Sequence, residues 1–318
     1  MRPTGRVHLG NWIGALENWV TLQDEYDSYH MVADWHMLTT DPGSAEKVAE
    51  NSIEVVIDWL SAGLDPDKSP LFIQSHVKEH AELHLIFSML MSVARLQRNP
   101  TVKEQARDLG IESTMSYGHL GYPILQAADI LVYNADAVPV GEDQAPHVEI
   151  TRELARRFNN LYGTVFKEPE TLLTRCPRLP GLDGRKMSKS LDNAIYLNDD
   201  PGVIQKKIMT AYTDPARLRL KDPGNPEKCV ILDYHKYFLS DTAAAVESDC
   251  RAGELGCVAH KRQLADHFSE LLAEFRERRS YYENNRREVL EIIAAGDEKA
   301  RGTARAVMES VREAMCLG

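Results

Sequence analysis

Apolar and polar positions along the first half of the chain switch between two periods. "YHMVAD" (29–34) and "PLFIQS" (70–75) are short apolar runs of the kind that form buried strands. Between them Ile53, Val56, Ile57 and Leu60 recur at helical spacing and stop before Gly63. Strand, helix, strand in that order predicts a parallel sheet covered by helices, with ligands at the carboxyl ends of the strands. The unit recurs downstream: "YPILQAADILVYN" predicts a helix, "AVPVG" a short strand, and "EDQAPHVEITRELARRFNNLYG" a helix of several turns ended by glycine. From Asp199 onward the pattern is helical, with Pro/Gly joints such as "KDPGNPEK" and no convincing strand. The closing stretch is amphipathic, with Ala304, Val307, Met308 and Val311 on one face, and is suited to packing back on the first domain. The expected fold is α/β: a doubly wound, Rossmann-like parallel-sheet domain over 1–197, a helical domain over 198–276, and C-terminal helices over 277–318.

Composition narrows the setting. With 318 residues, 43% hydrophobic and 27% charged, the chain has material for a sizeable core. No run of about 18 apolar residues occurs, and "MRPTGRVHLG" lacks the apolar block of a signal peptide, so the expectation is a cytoplasmic protein with no membrane partner. Five cysteines in a chain this long fit a reducing compartment, as free thiols or metal ligands, better than a disulfide framework. A net charge of −11 excludes a general nucleic-acid coat while leaving room for a local basic face.

Three stretches carry candidate chemistry. In "GRVHLGNWIGAL", His8, Gly10 and Asn11 sit where a loop turns into a helix, a place where backbone amides attract phosphate and glycine permits close approach. In "GRKMSKSLDN", two lysines and two serines share a short loop in an acidic chain. Alone it reads as a solvated surface loop; beside the first stretch it fits a centre where a carboxylate attacks an α-phosphorus and cations neutralise the gathering charge. In "VPVGEDQAPHVEITR", Gly141 ends a strand and Asp143 and Gln144 begin a helix, the position of a ribose or amino-acid site in a parallel sheet, or simply a capped helix.

Together with "RPTGRVHLGNWIGAL", "ADWHMLTT", "NPTVKEQ", "YPILQAADILVYN" and "KMSKS", these segments resemble the bacterial-type tryptophanyl-tRNA synthetases, class I aminoacyl-tRNA synthetases, over nearly the whole chain. The resemblance implies activation of L-tryptophan by ATP with Mg²⁺, transfer to tRNA(Trp), a homodimer, and anticodon contacts from the helical domain. By position it implies Arg2, Thr4, His8, Gly10, Asn11, Gly141, Asp143, Lys186, Met187, Ser188, Lys189 and Ser190 as the ATP set. Lys103 reaches the phosphates, and Lys186, Lys189, His8 and Lys103 serve catalysis. Asp129 would accept the indole N–H, Tyr122, Gln126 and Gln144 would hold the amino group, Val138 and Val140 would line the indole slot, and His36 would lie at its mouth. A carboxylate buried in "QAADILVYN" is costly unless paired, and a pocket built on one such bond rejects analogues lacking the donor.

Some features depart from that pattern. The family's first strand, expected before "RPTG", falls outside this chain, and an interior strand of that kind would pair on both edges. Gln126 replaces a common methionine and keeps tyrosine open as a second substrate. Cys229, Cys250, Cys257 and His260 resemble the iron-sulfur motif of a subset of the family, with zinc or free thiols as alternatives. "FRERRSYYENNRRE" mixes arginine and tyrosine in a way suited to RNA, or equally to a charged helix face. "LHLIFSMLMSVARL" reads as dimer interface or core. A nucleotidyltransferase would not explain the helical domain. A synthetase relative without activity would be expected to lose the phosphate-handling residues, which are intact.

Overall fold

The computed structural model describes residues 1–173, 179–187, 191–214, 217, 219 and 221–317, apart from the Asp143 side chain. Spatial proximity divides the chain into two compact units, one of Met1–Gly5, Asn18–Cys176 and Asn285–Gly318, the other of Arg6–Glu17 and Pro177–Asn284. The units interleave along the chain, whereas the expected domains were continuous.

In the first unit, β1 (His30–Val32) and β2 (Leu71–Ile73) pair in parallel, His30 opposite Leu71. The connecting helix Ala45–Ala62 buries Val55, Val56, Ile57, Trp59 and Leu60 and stops at Gly63, whose φ of 106° is open to glycine at no steric cost. A second unit of the same kind follows. β3 (Ala137–Val140) and β4 (Glu170–Leu173) pair in parallel, joined by helix Ala145–Tyr162. The predicted "YPILQAADILVYN" helix begins earlier, at Tyr117, because the Ser116 side chain accepts from His119 N–H and caps it. Sequence pattern missed β4, since "ETLL" is short and half-exposed with no alternation. The parallel pairing is as expected, but among the described residues the strands form two two-stranded sheets rather than one continuous sheet. Residue 1 lies along the free edge of β1, with Met1 N donating to Met31 O at 2.7 Å and Ala33 N to Met1 O at 2.8 Å.

The other exposed edge, that of β2, is covered by the last helix, Arg286–Ala314. A Cβ at Gly296 would stand 2.1 Å from Leu71 O, so only glycine allows the helix backbone this close to the strand. Next to it, Asp297 Oδ1 accepts from Ile73 N–H at 3.1 Å, satisfying a strand-edge amide, and Oδ2 bonds His76 Nδ1 at 2.6 Å. The stripe Ala300, Ala304, Met308 and Val311 is fully buried with Phe72, Leu83 and Phe87, while Val307 is partly buried.

In the second unit the described elements are helices, apart from two isolated bridges. Helix Pro201–Thr210 packs on Cys257–Leu271 through Ile204, Ile208, Leu264 and Phe268. Buried Lys261 reaches the end of the former helix, its Nζ donating to Ala211 O at 2.7 Å and Met209 O at 3.3 Å. Among the described residues no helix is long and apolar enough to cross a membrane.

Candidate active site

The first unit encloses a cavity of about 730 Å³ lined, among others, by His36, Tyr122, Gln126, Asp129, Val138 and Gln144. Val140, next along β3 from its lining residues, is not among the lining residues. Asp129 is the centre of the polar wall. Its side chain is 8% exposed, with Oδ2 bonded to His36 Nε2 at 2.7 Å. Oδ1 accepts from Gln74 Nε2 at 2.7 Å and bonds His80 Nδ1 at 2.7 Å. Burial alone would raise this carboxyl; the field and hydrogen bond of His36, with those of His80, outweigh it and hold the group well below the ordinary carboxylate range. His36 lines the cavity as a partner of Asp129. Beside it, Tyr122 OH bonds His147 Nε2 at 3.2 Å, and His147 Nδ1 bonds Asn99 Nδ2 at 3.2 Å. Burial pushes the Tyr122 phenol up to about 12, so it stays protonated.

The second unit brings the "GRVHLGNWIGAL" and "GRKMSKSLDN" stretches together. The His8–Asn11 pair forms a reciprocal cap: Asn11 N donates to His8 Nδ1 and His8 N to Asn11 Oδ1, both at 3.3 Å. With Nδ1 accepting, a neutral His8 carries its proton on Nε2. His8 is bridged to Tyr196, flanked by Leu9 N to Ile195 O at 2.9 Å and Leu197 N to Val7 O at 3.1 Å. A Cβ at Gly10 would lie 3.0 Å from Met187 Sδ, so the glycine lets the lysine loop lie on the helix start. Lys186 is exposed and its backbone oxygen is held by Asn193 Nδ2 at 3.1 Å, which also donates to Asp183 at 2.8 Å. Ser188, Lys189 and Ser190 lie outside the described residues, as does the side chain of Asp143.

A family profile described as tRNA synthetases class I (W and Y) matches residues 1–273. This chain belongs to that family. It is 48% identical to the tryptophan–tRNA ligase of Thermotoga maritima and 42% identical to that of Aquifex aeolicus, each match covering 100% of this chain and 98% of the relative. A crystal structure of tryptophanyl-tRNA synthetase from Campylobacter jejuni, complexed with ADP and tryptophan, superposes with a TM-score of 0.89 at 32% identity, covering 100% of this chain and 98% of that one.

The remaining residues carried over from the class I resemblance are spread more widely. Arg2 lines the cavity, Thr4 is exposed with its N–H on Arg2 O at 2.9 Å, and Gly141 accepts from Gln144 N–H at 3.0 Å as the chain leaves β3. Lys103 projects, exposed, from helix Pro100–Asp108. Residues that sequence reasoning missed are Gln74, His80 and Tyr133, all tied to Asp129. The available signal was the four-residue spacing of His80 and His84, which places two imidazoles on one face of helix Glu79–Ser88.

Among the described residues the structure gives no support to the iron-sulfur or zinc reading of Cys229, Cys250, Cys257 and His260. The three thiols and His260 do line one small cavity, of about 30 Å³, room for about one water. However, Arg217 Nη1 lies 3.5 Å from Cys257 Sγ and 3.9 Å from Cys250 Sγ, and its Nη2 donates to Leu255 O at 2.7 Å. His260 Nε2 is engaged with His235 Nδ1 at 3.1 Å. Burial raises the Cys229 and Cys250 thiols above the ordinary thiol value. Among the described residues no group of three or more His, Cys, Asp or Glu side chains is arranged to hold a metal ion. The arginines of "FRERRSYYENNRRE" are largely paired as a charged helix face: Arg278 with Glu274, Arg279 with Glu283 and Arg287 with Glu291, each at i,i+4.

Proposed function

We propose that this chain is a tryptophan–tRNA ligase. The tryptophan carboxylate attacks the α-phosphorus of ATP, the bond to the β-phosphate oxygen breaks, and pyrophosphate leaves. The terminal ribose hydroxyl of tRNA(Trp) then takes the acyl group and AMP departs. The observation that supports this reading is Asp129: an ionised, buried carboxylate on the wall of a cavity, held by His36, Gln74 and His80 and suited to accept an indole N–H. Tyr122, Gln126 and Gln144 would hold the ammonium group and Val138 would flank the ring. His8, with its proton on Nε2, donates to a phosphate oxygen, and Lys186 with Lys189 counters charge on the departing pyrophosphate. Mg²⁺, held mainly by the nucleotide's own oxygens, would neutralise the same group.

ATP–pyrophosphate exchange with tryptophan, tyrosine and phenylalanine in turn tests activation and substrate together. Tryptophan-dependent exchange is expected. Gln126 on the cavity wall is the feature favouring tyrosine, and a preference for tyrosine overturns the assignment; no exchange with any amino acid would make the chain a binding module without activity. Residues 1–197 are proposed as the catalytic domain, 198–276 as the anticodon-binding domain and 277–318 as its return onto the catalytic domain. A homodimer is proposed through Leu85, Met89 and Val93, large apolar side chains that are 60%, 68% and 54% exposed. Light scattering on Leu85→Asp, with a monomer as the expected result, tests it. The free thiols Cys229, Cys250, Cys257 and Cys316 support a reducing, cytoplasmic setting.

A further inference from the structure

We infer that His80 and Tyr133 are specificity-positioning residues that aim Asp129 at its ligand, an inference that rests on the tryptophan reading above. A carboxylate offers about four acceptor positions, two on each oxygen. Oδ1 is filled on both by Gln74 and His80, whereas among the described residues Oδ2 is bonded by His36, which leaves its second position for an N–H arriving from the cavity. What holds the carboxylate plane in that orientation is the filled oxygen, and His80 is the rigid half of that clamp.

His80 is fully buried, and its other nitrogen bonds Tyr133 OH at 2.7 Å. An ionised carboxylate only accepts, so His80 Nδ1 carries the proton. In the neutral ring Nε2 then accepts, and Tyr133 is the donor. Burial, with the nearby Asp129 charge, pushes the Tyr133 phenol far up, so its proton is always present to fix that tautomer. Tyr133 is itself stacked on Tyr29 with centroids 4.8 Å apart, and Tyr29 OH bonds Thr303 Oγ1 at 2.8 Å. The chain Thr303–Tyr29–Tyr133–His80–Asp129 thus links the last helix to the carboxylate. Of the four supporting residues, His80 is not among those lining the cavity and acts through Asp129, whereas Tyr133, Tyr29 and Thr303 also face the cavity.

The test compares kcat/KM in pyrophosphate exchange for tryptophan and for 3-benzothienylalanine, the isostere in which sulfur replaces the indole N–H. His80→Leu removes the clamp; His80→Asn keeps an amide donor near the Nδ1 position; Tyr133→Phe removes the tautomer lock. The expected result is a ratio that falls about tenfold or more in His80→Leu, recovers largely in His80→Asn, and falls severalfold in Tyr133→Phe, with the loss in KM for tryptophan and KM for ATP unchanged. A ratio equal to wild type in folded His80→Leu overturns the inference. If that variant does not fold, unchanged ratios in both His80→Asn and Tyr133→Phe overturn it, and a fall in Tyr133→Phe upholds it. Wild-type protein that fails to prefer tryptophan over the isostere overturns the functional reading as well, which separates the two failures.

Discussion

Replacing Asp129 by asparagine removes the one feature on which the proposed selectivity turns. Three side chains converge on the carboxylate, from His36, His80 and Gln74, each at 2.7 Å. Asparagine presents a single carbonyl oxygen, so at least one of these donors meets an amide N–H instead of an acceptor. Charge-assisted hydrogen bonds contribute about 1.5–3 kcal/mol each, and an orphaned buried donor costs a similar amount, so about 3 kcal/mol of stability should be lost. Loss of the negative partner for the indole N–H should lower kcat/KM for tryptophan by about 10³ to 10⁴. Pyrophosphate exchange reads the second quantity and urea unfolding the first. The sign with pH follows from the depressed carboxyl: the stabilisation is present above the ordinary carboxyl value of 3.8 and is lost as pH falls toward the folded-state value, a loss Asp129→Asn should not show. If folded Asp129→Asn activates tryptophan within tenfold of wild type, the carboxylate is not the recognition element and the reasoning is refuted.

Lys186→Ala should lower pyrophosphate exchange by about 10²-fold with KM for tryptophan unchanged, and exchange at the wild-type rate would remove the lysine loop from the chemistry. Gly296→Ala forces a methyl to within 2.1 Å of Leu71 O and should cost about 1–3 kcal/mol in chemical denaturation; an unshifted midpoint would contradict the close helix–strand approach. The His76 pKa is raised by its hydrogen bond to Asp297, so its stabilisation is full below the ordinary value of 6.5 and fades as pH rises through the higher folded value. Wild type should therefore lose more thermal stability than His76→Gln on going up through that window, and parallel curves would argue against the pair. Anaerobically purified protein should be colourless and bind no stoichiometric iron or zinc; a visible absorption band would restore the cysteine site despite Arg217.

Periodicity was enough to place β1, β2 and β3 and the helices Ala45–Ala62 and Ala145–Tyr162, which stop at Gly63 and Gly163. The helix start at His8–Asn11 was legible for a related reason: it depends on a local cap, and His8, Gly10 and Asn11 interact within four residues of one another. β4 was illegible because a short, half-exposed strand exists only through its neighbour. The metal reading lacks support for a similar cause. Spacing brought three cysteines and a histidine toward one cavity, but Arg217 and His235, remote in the chain, decided what those side chains contact.

The amino-acid order therefore determined the α/β grammar, the helix stops and the identity of the residues that could meet phosphate or indole. Tertiary structure decided how Asp129 is held. Its partners come from His36, Gln74 and His80, 93, 55 and 49 residues away in the chain, and hydrogen bonds of that range follow from packing rather than from any local period. The same holds for the last helix on β2, where one missing Cβ and one aspartate satisfy a strand edge more than 200 residues earlier in the chain.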